Sequence, residues 1–205
     1  VERIVVERAS RFVVGVDSDI VDSDILEALK SEEIIVESRN KIRLKYDIFE
    51  DICFERYIDK AFDVCHGSYN VFFDEIEKIG RCIYRRYQIW ISNKLFVQEA
   101  REKFVYTLLT DNSIEAKWKK QTEIGIVKSK YCGLFFKEFQ ELLDETVVEE
   151  LLDITNLYAF EAKINHSPAL IMNVTPIGAA RKNLIGMVFE ERISLDKNRT
   201  SIIKL

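Results

Sequence analysis

Apolar positions recur along this chain with two different periods, and the switch between them sets its organisation. From Glu2 to Val14, apolar residues at 4, 5, 6, 9, 12, 13 and 14 form one helical stripe, with Gly15 as the expected stop. A second helix is predicted over 22–30, carrying Leu26 and Leu29 and capped by Asp22 or Ser23. The period then shortens. Glu33 to Val36 and Lys41 to Tyr46 are β-branched and apolar runs separated by Ser38, Arg39 and Asn40, the composition of a hairpin with a polar turn. At Asp47 the helical period returns, with apolar pairs at 48, 49, 52, 53, 57, 58, 61 and 62. Asp47 offers a capping side chain and Glu50 follows three residues later, so the second strand is expected to hand over directly to a helix.

The pattern loosens at Cys65-His66-Gly67-Ser68, a helix end and turn. Phe72, Ile76, Ile79, Ile83, Tyr87 and Trp90 then fall on one stripe of a single long helix expected to tolerate Gly80. Further helices are predicted over 96–110, 114–129, 134–143 and 147–160. His166-Ser167-Pro168 reads as a break, 169–174 as a strand or a buried helix start, Pro176-Ile177-Gly178 as a turn, and 179–193 as a last helix.

With only 7 Gly and 2 Pro, the chain lacks the punctuation a strand-rich fold needs. The expected fold is mainly α: a small winged helix over 1–46, made of two or three helices plus a β-hairpin, then an irregular stack of antiparallel helices over 47–205. The boundary is expected near 47–66. No fixed-period repeat is visible, and the wide apolar stripes of the later helices call for cover on both sides.

Charge narrows the function classes. The chain carries a net −5. In the predicted helix before the hairpin, seven acidic residues between Asp17 and Glu33 face Lys30 alone, a net of −6 where a DNA reader would need cations, so DNA is not an expected partner through that element. Lys117, Lys119, Lys120, Lys128 and Lys130 make one region locally basic, and Lys78, Arg81, Arg85 and Arg86 form a basic face. It interleaves with Tyr84 and Tyr87 and gives an alternative reading as a nucleic-acid-binding regulator using the helix 78–94; the plainer reading is a solvated or internally paired face.

Cys53, Cys65, Cys82 and Cys132 have no C-x-x-C spacing, and His66 and His166 are the only histidines, so neither a metal site nor a catalytic set is expected. The cysteines read as buried free thiols. The acid pairs Glu32-Glu33, Glu50-Asp51 and Glu149-Glu150 read as solvated faces. With no basic-then-apolar leader and no apolar run near the ~20 residues of a membrane span, a cytoplasmic chain with no membrane partner is expected.

The run Arg43-Leu44-Lys45-Tyr46-Asp47-Ile48-Phe49-Glu50-Asp51 resembles the strand-to-helix junction that closes the winged-helix domain of STAND-class NTPases, the signalling ATPases of the NACHT and NB-ARC type. That junction usually reads apolar-x-His-Asp, and its histidine reaches the β-phosphate of bound ADP. Here Tyr46 stands where the histidine is expected; its hydroxyl can donate to a phosphate oxygen but carries no imidazolium charge. The order Trp118-Lys119, Ile126-Val127-Lys128-Ser129, Phe135-Phe136 and Leu142-Leu143 resembles the helical segment after the winged helix in bacterial members, and Pro176-x-Gly178 resembles a late helical repeat.

The resemblance implies the regulatory arm of a bacterial signalling or antiviral-defence ATPase, with Tyr46, Asp47 and Lys45 as nucleotide-sensing candidates. ATP or ADP with Mg²⁺ would be held by the parent chain, whose NTPase core would be the arm's partner, alongside a protein partner or further copies of the chain. The absence of G-x-x-x-x-G-K-[ST], and an opening at Val1 within a helical pattern, fit a piece of a longer protein. A plain protein-interaction scaffold is the third reading.

Overall fold

Arg39 and Asn40 both adopt positive φ (52° and 60°), the backbone a two-residue hairpin turn requires, and they join β2 (Ile35–Ser38) to β3 (Lys41–Leu44). The computed structural model describes residues 1–158 and 176–189. It is mainly helical with one small three-stranded antiparallel sheet of order β1-β3-β2. The third strand, β1 (Val16–Asp17), was not expected. It pairs with β3 through Val16 opposite Ile42 and Asp17 opposite Lys41, and is fixed by Lys41 Nζ to Asp17 Oδ1 at 2.6 Å and Ser18 Oγ to Asn40 Oδ1 at 2.8 Å. Ile42 and Leu44 point inward from β3 while Lys41 and Arg43 point out, the alternation of a sheet buried on one face.

The chain divides into two compact units, Val1–Tyr87 and Gln88–Leu205. In the first, α1 (Glu2–Ser10) and α3 (Asp47–Val64) pack on each other and on β3, α2 (Ser23–Ser31) packs on β2, and α4 (Tyr69–Glu77) packs on α3. Their core includes Ile4, Ile42, Ile58, Phe72 and Ile76, all fully buried. Asp22 caps α2 as expected, its carboxylate accepting from Asp24 N at 3.0 Å.

Three expectations are corrected here. First, α1 ends at Ser10 rather than Val14. Phe12 takes φ 53°, with Val13 N donating to Arg8 O and Phe12 N to Ala9 O, so a left-handed closing motif forms on Phe12 before Gly15 is reached. Glu33, at φ 56°, closes α2 in the same way. Second, the long helix expected through Gly80 is two helices, α4 and α5 (Ile83–Lys94). Gly80 has φ 84°, which no right-handed helix accommodates, yet the stripe Phe72, Ile76, Ile79, Ile83, Tyr87 and Trp90 is buried throughout. Third, the cap expected at Asp47 falls one residue earlier. Tyr46 is the N-cap of α3, without a side-chain capping bond, and Asp47 is the first helical residue.

The second unit contains α6 (Gln98–Ala100), a π-helical turn (Arg101–Val105), α7 (Tyr106–Thr110), α8 (Ala116–Val127), α9 (Cys132–Phe139), α10 (Glu145–Leu157) and α11 (Pro176–Phe189). The single helix expected over 96–110 is thus interrupted by the π turn. The expected turn at 176–178 is instead the start of α11, with proline at the first helical position, where its missing N–H costs nothing. α10 and α11 pack on each other and on α8, and α11 also lies against α9. Trp118, Phe135, Val148, Leu151 and Leu184 form the centre of this core. The readings for 166–174, 190–193 and 197–205 lie outside the described residues. Among the described residues no helix is long and apolar enough to cross a membrane.

Candidate functional site

β3 hands over to α3 through Lys45 and Tyr46 alone. Lys45 N donates to Ile34 O at 2.8 Å, which extends the ladder one residue beyond β3, and Tyr46, still extended at φ −128° and ψ 136°, turns the chain into the helix. Tyr46 is 49% exposed. Its ring meets Phe49 edge-on at 6.0 Å, and the Lys45 ammonium lies 5.4 Å from the ring centroid. The three candidates are therefore contiguous on the surface: a phenol, a cation beside it, and the exposed Asp47 in the first turn of the helix.

The electrostatics of this junction are mixed. Lys45 Nζ pairs with Glu33 Oε2 at 2.5 Å, and that hydrogen bond raises the Lys45 pKa and lowers that of Glu33. Asp47 complements the positive end of α3 and leaves less of it for an external anion. The junction can donate one phenolic hydrogen bond and share one cation.

The alternative basic set is only partly gathered. Lys78 follows α4 and pairs with Glu75 Oε2 at 2.5 Å. Arg86 on α5 pairs with Asp51 and lies 5.7 Å from the Phe54 ring centroid. Arg81 and Arg85 are exposed, and neither has an ion-pair partner among the described residues. With Arg86 they line a groove of about 620 Å³ whose opposite wall is the end of α1, with Arg8 and the apolar Phe12, Val13 and Val14. Sequence reading missed Arg8 because it lies over 70 residues from Arg81 and belongs to another helix.

One acid pair is corrected. Glu50 is buried and paired with Arg8, and Asp51 is held by Arg86, so these carboxylates are structural counter-ions rather than a solvated face. Glu123, which was not singled out, is buried on α8. Of the thiols, Cys53, Cys65 and Cys132 are buried as expected while Cys82 is exposed. Burial pushes the Cys53 thiol up and that of Cys132 to about 11, and partial desolvation by neighbouring groups raises that of Cys82, which leaves them poor nucleophiles. Comparison with protein-family models and with curated proteins gives no match to this chain.

Proposed function

We propose that this chain is the regulatory and interaction arm of a STAND-type signalling ATPase, with a winged helix leading into a helical stack. The observation that carries this reading is the exposure of Tyr46 at the two-residue strand-to-helix junction. A tyrosine kept only for packing would be expected in the core; this one presents half its surface at the position the resemblance assigns to nucleotide sensing. Helix, short strand, second helix and hairpin, with the first strand on the outer edge of β3, is an order that suits a winged helix.

In this reading Tyr46 donates to a phosphate oxygen of ADP bound by the parent chain, and Lys45 adds nearby positive charge. The Lys45–Glu33 pair fixes the cation at the junction. A switch needs only a few kcal/mol between its states, and a hydrogen bond to a charged group supplies about 1.5–3 kcal/mol of that. Nucleic-acid binding through 78–94 has less support, because Lys78 and Arg86 are already neutralised by carboxylates of the same unit.

The encoding reading frame tests the assignment. A phosphate-binding loop, G-x-x-x-x-G-K-[ST], and an acidic Mg²⁺-binding strand are expected within a few hundred residues ahead of Val1. An intact frame without them would overturn it.

A further inference from the structure

We infer that the groove between the end of α1 and the start of α5 is a docking site for an acidic peptide segment of a partner protein, one whose carboxylates flank an apolar side chain. This does not depend on the ATPase reading. The floor of the groove is neutralised internally: Arg8 is paired with Glu50, and Arg86 with Asp51. Arg81 and Arg85 remain as exposed guanidinium groups with no ion-pair partner among the described residues, on one wall of a groove in a chain of net charge −5. An arginine fork matches a carboxylate in two parallel hydrogen bonds, so two such residues read two acidic side chains.

The facing wall favours peptide over nucleic acid. Phe12 and Val14 are 71% and 80% exposed, a cost in water that contact with an apolar side chain would offset. Phe12 alone on this wall offers a flat face on which a base could stack, and Val13 and Val14 offer none. The shelf is also held in place. Phe12 is fixed in the left-handed region, and its ring lies so close to Gly80 that a Cβ there would come within 3.1 Å of Cζ. The groove's volume of about 620 Å³ suits a few side chains.

The test is selection from a random linear peptide display library on the intact chain, with counter-selection on Arg81→Glu/Arg85→Glu. Affinities of the selected peptides are then measured by fluorescence polarisation. The expected winners carry at least two Asp or Glu residues beside an aliphatic or aromatic one, and bind at least tenfold more weakly to the double variant. Because the substituted arginines are exposed, the fold should survive, as circular dichroism would check. Val14→Asp, on the other wall, should weaken the same peptides severalfold without touching an arginine. Failure of any peptide to enrich over the double variant, enrichment without acidic residues, or indifference to Val14→Asp would overturn the proposal. So would a 20-nucleotide single strand or duplex that binds more tightly than any peptide with the same arginine dependence.

Discussion

Lys120 Nζ lies 3.5 Å from Oε2 of Glu123, a carboxylate buried on α8. Glu123 is 3% exposed, and burial first, then the neighbouring Glu150 on α10, pushes its carboxyl up to about 7, with Lys120 opposing the rise. A carboxyl whose folded pKa exceeds its unfolded value binds its proton more tightly when folded. Its stabilising contribution is therefore complete below pH 4.5 and lost as pH rises to about 7. Denaturant titrations at a series of pH values should show stability falling across that window by up to about 3 kcal/mol. Glu123→Gln should flatten the slope and be the more stable protein at pH 8; a slope unchanged by the substitution would place the titration elsewhere.

Arg101 is buried, yet three atoms of its surroundings account for it. Its Nε donates to Glu138 Oε2 at 2.6 Å, and its Nη1 donates to Leu95 O at 2.8 Å and Phe96 O at 3.3 Å. The π-helical turn begins on this residue, at the point where the guanidinium turns toward the carbonyls that follow α5. Arg101→Met should cost about 3 kcal/mol in urea denaturation, since it strands a carboxylate and two carbonyls together. Arg101→Lys should recover only part of this, because an ammonium cannot fork to both groups.

Gly125, in the last turn of α8, sets two effects against each other. Alanine is the better helix former by about 1 kcal/mol. A Cβ at 125 would meet Ile91 Cγ2 at 2.9 Å and Gln88 O at 3.0 Å, and overpacking of this kind costs about 1–3 kcal/mol. Packing should win. Thermal unfolding of Gly125→Ala is expected several degrees below the parent; a higher midpoint would mean α5 can move away freely.

How much of this was readable in advance depends on how local the cause is. The hairpin, its polar turn and the direct passage into α3 were legible because β-branched alternation and turn residues act over a few positions. β1 was not. Two residues make no period, and Val16 is a strand only because Ile42 lies opposite it. Gly80 was misjudged because the buried stripe continues past it in register, and nothing in the sequence distinguishes a tolerated helical glycine from one at φ 84°. Lys45, Tyr46 and Asp47 are neighbours in sequence and so were found together. The groove of Arg8, Phe12, Arg81 and Arg85 is joined only by tertiary packing, and the burial of Glu123 has the same cause.

ADP affinity of the intact parent protein, measured by calorimetry for the wild type and for Tyr46→Phe, bears most directly on the central claim. Removing a phenolic donor to a phosphate should weaken ADP binding about tenfold or more and raise basal signalling, with the fold unchanged because Tyr46 lies at the surface. Equal affinities and equal basal activity would contradict the account and leave Tyr46 a surface ring resting on Phe49.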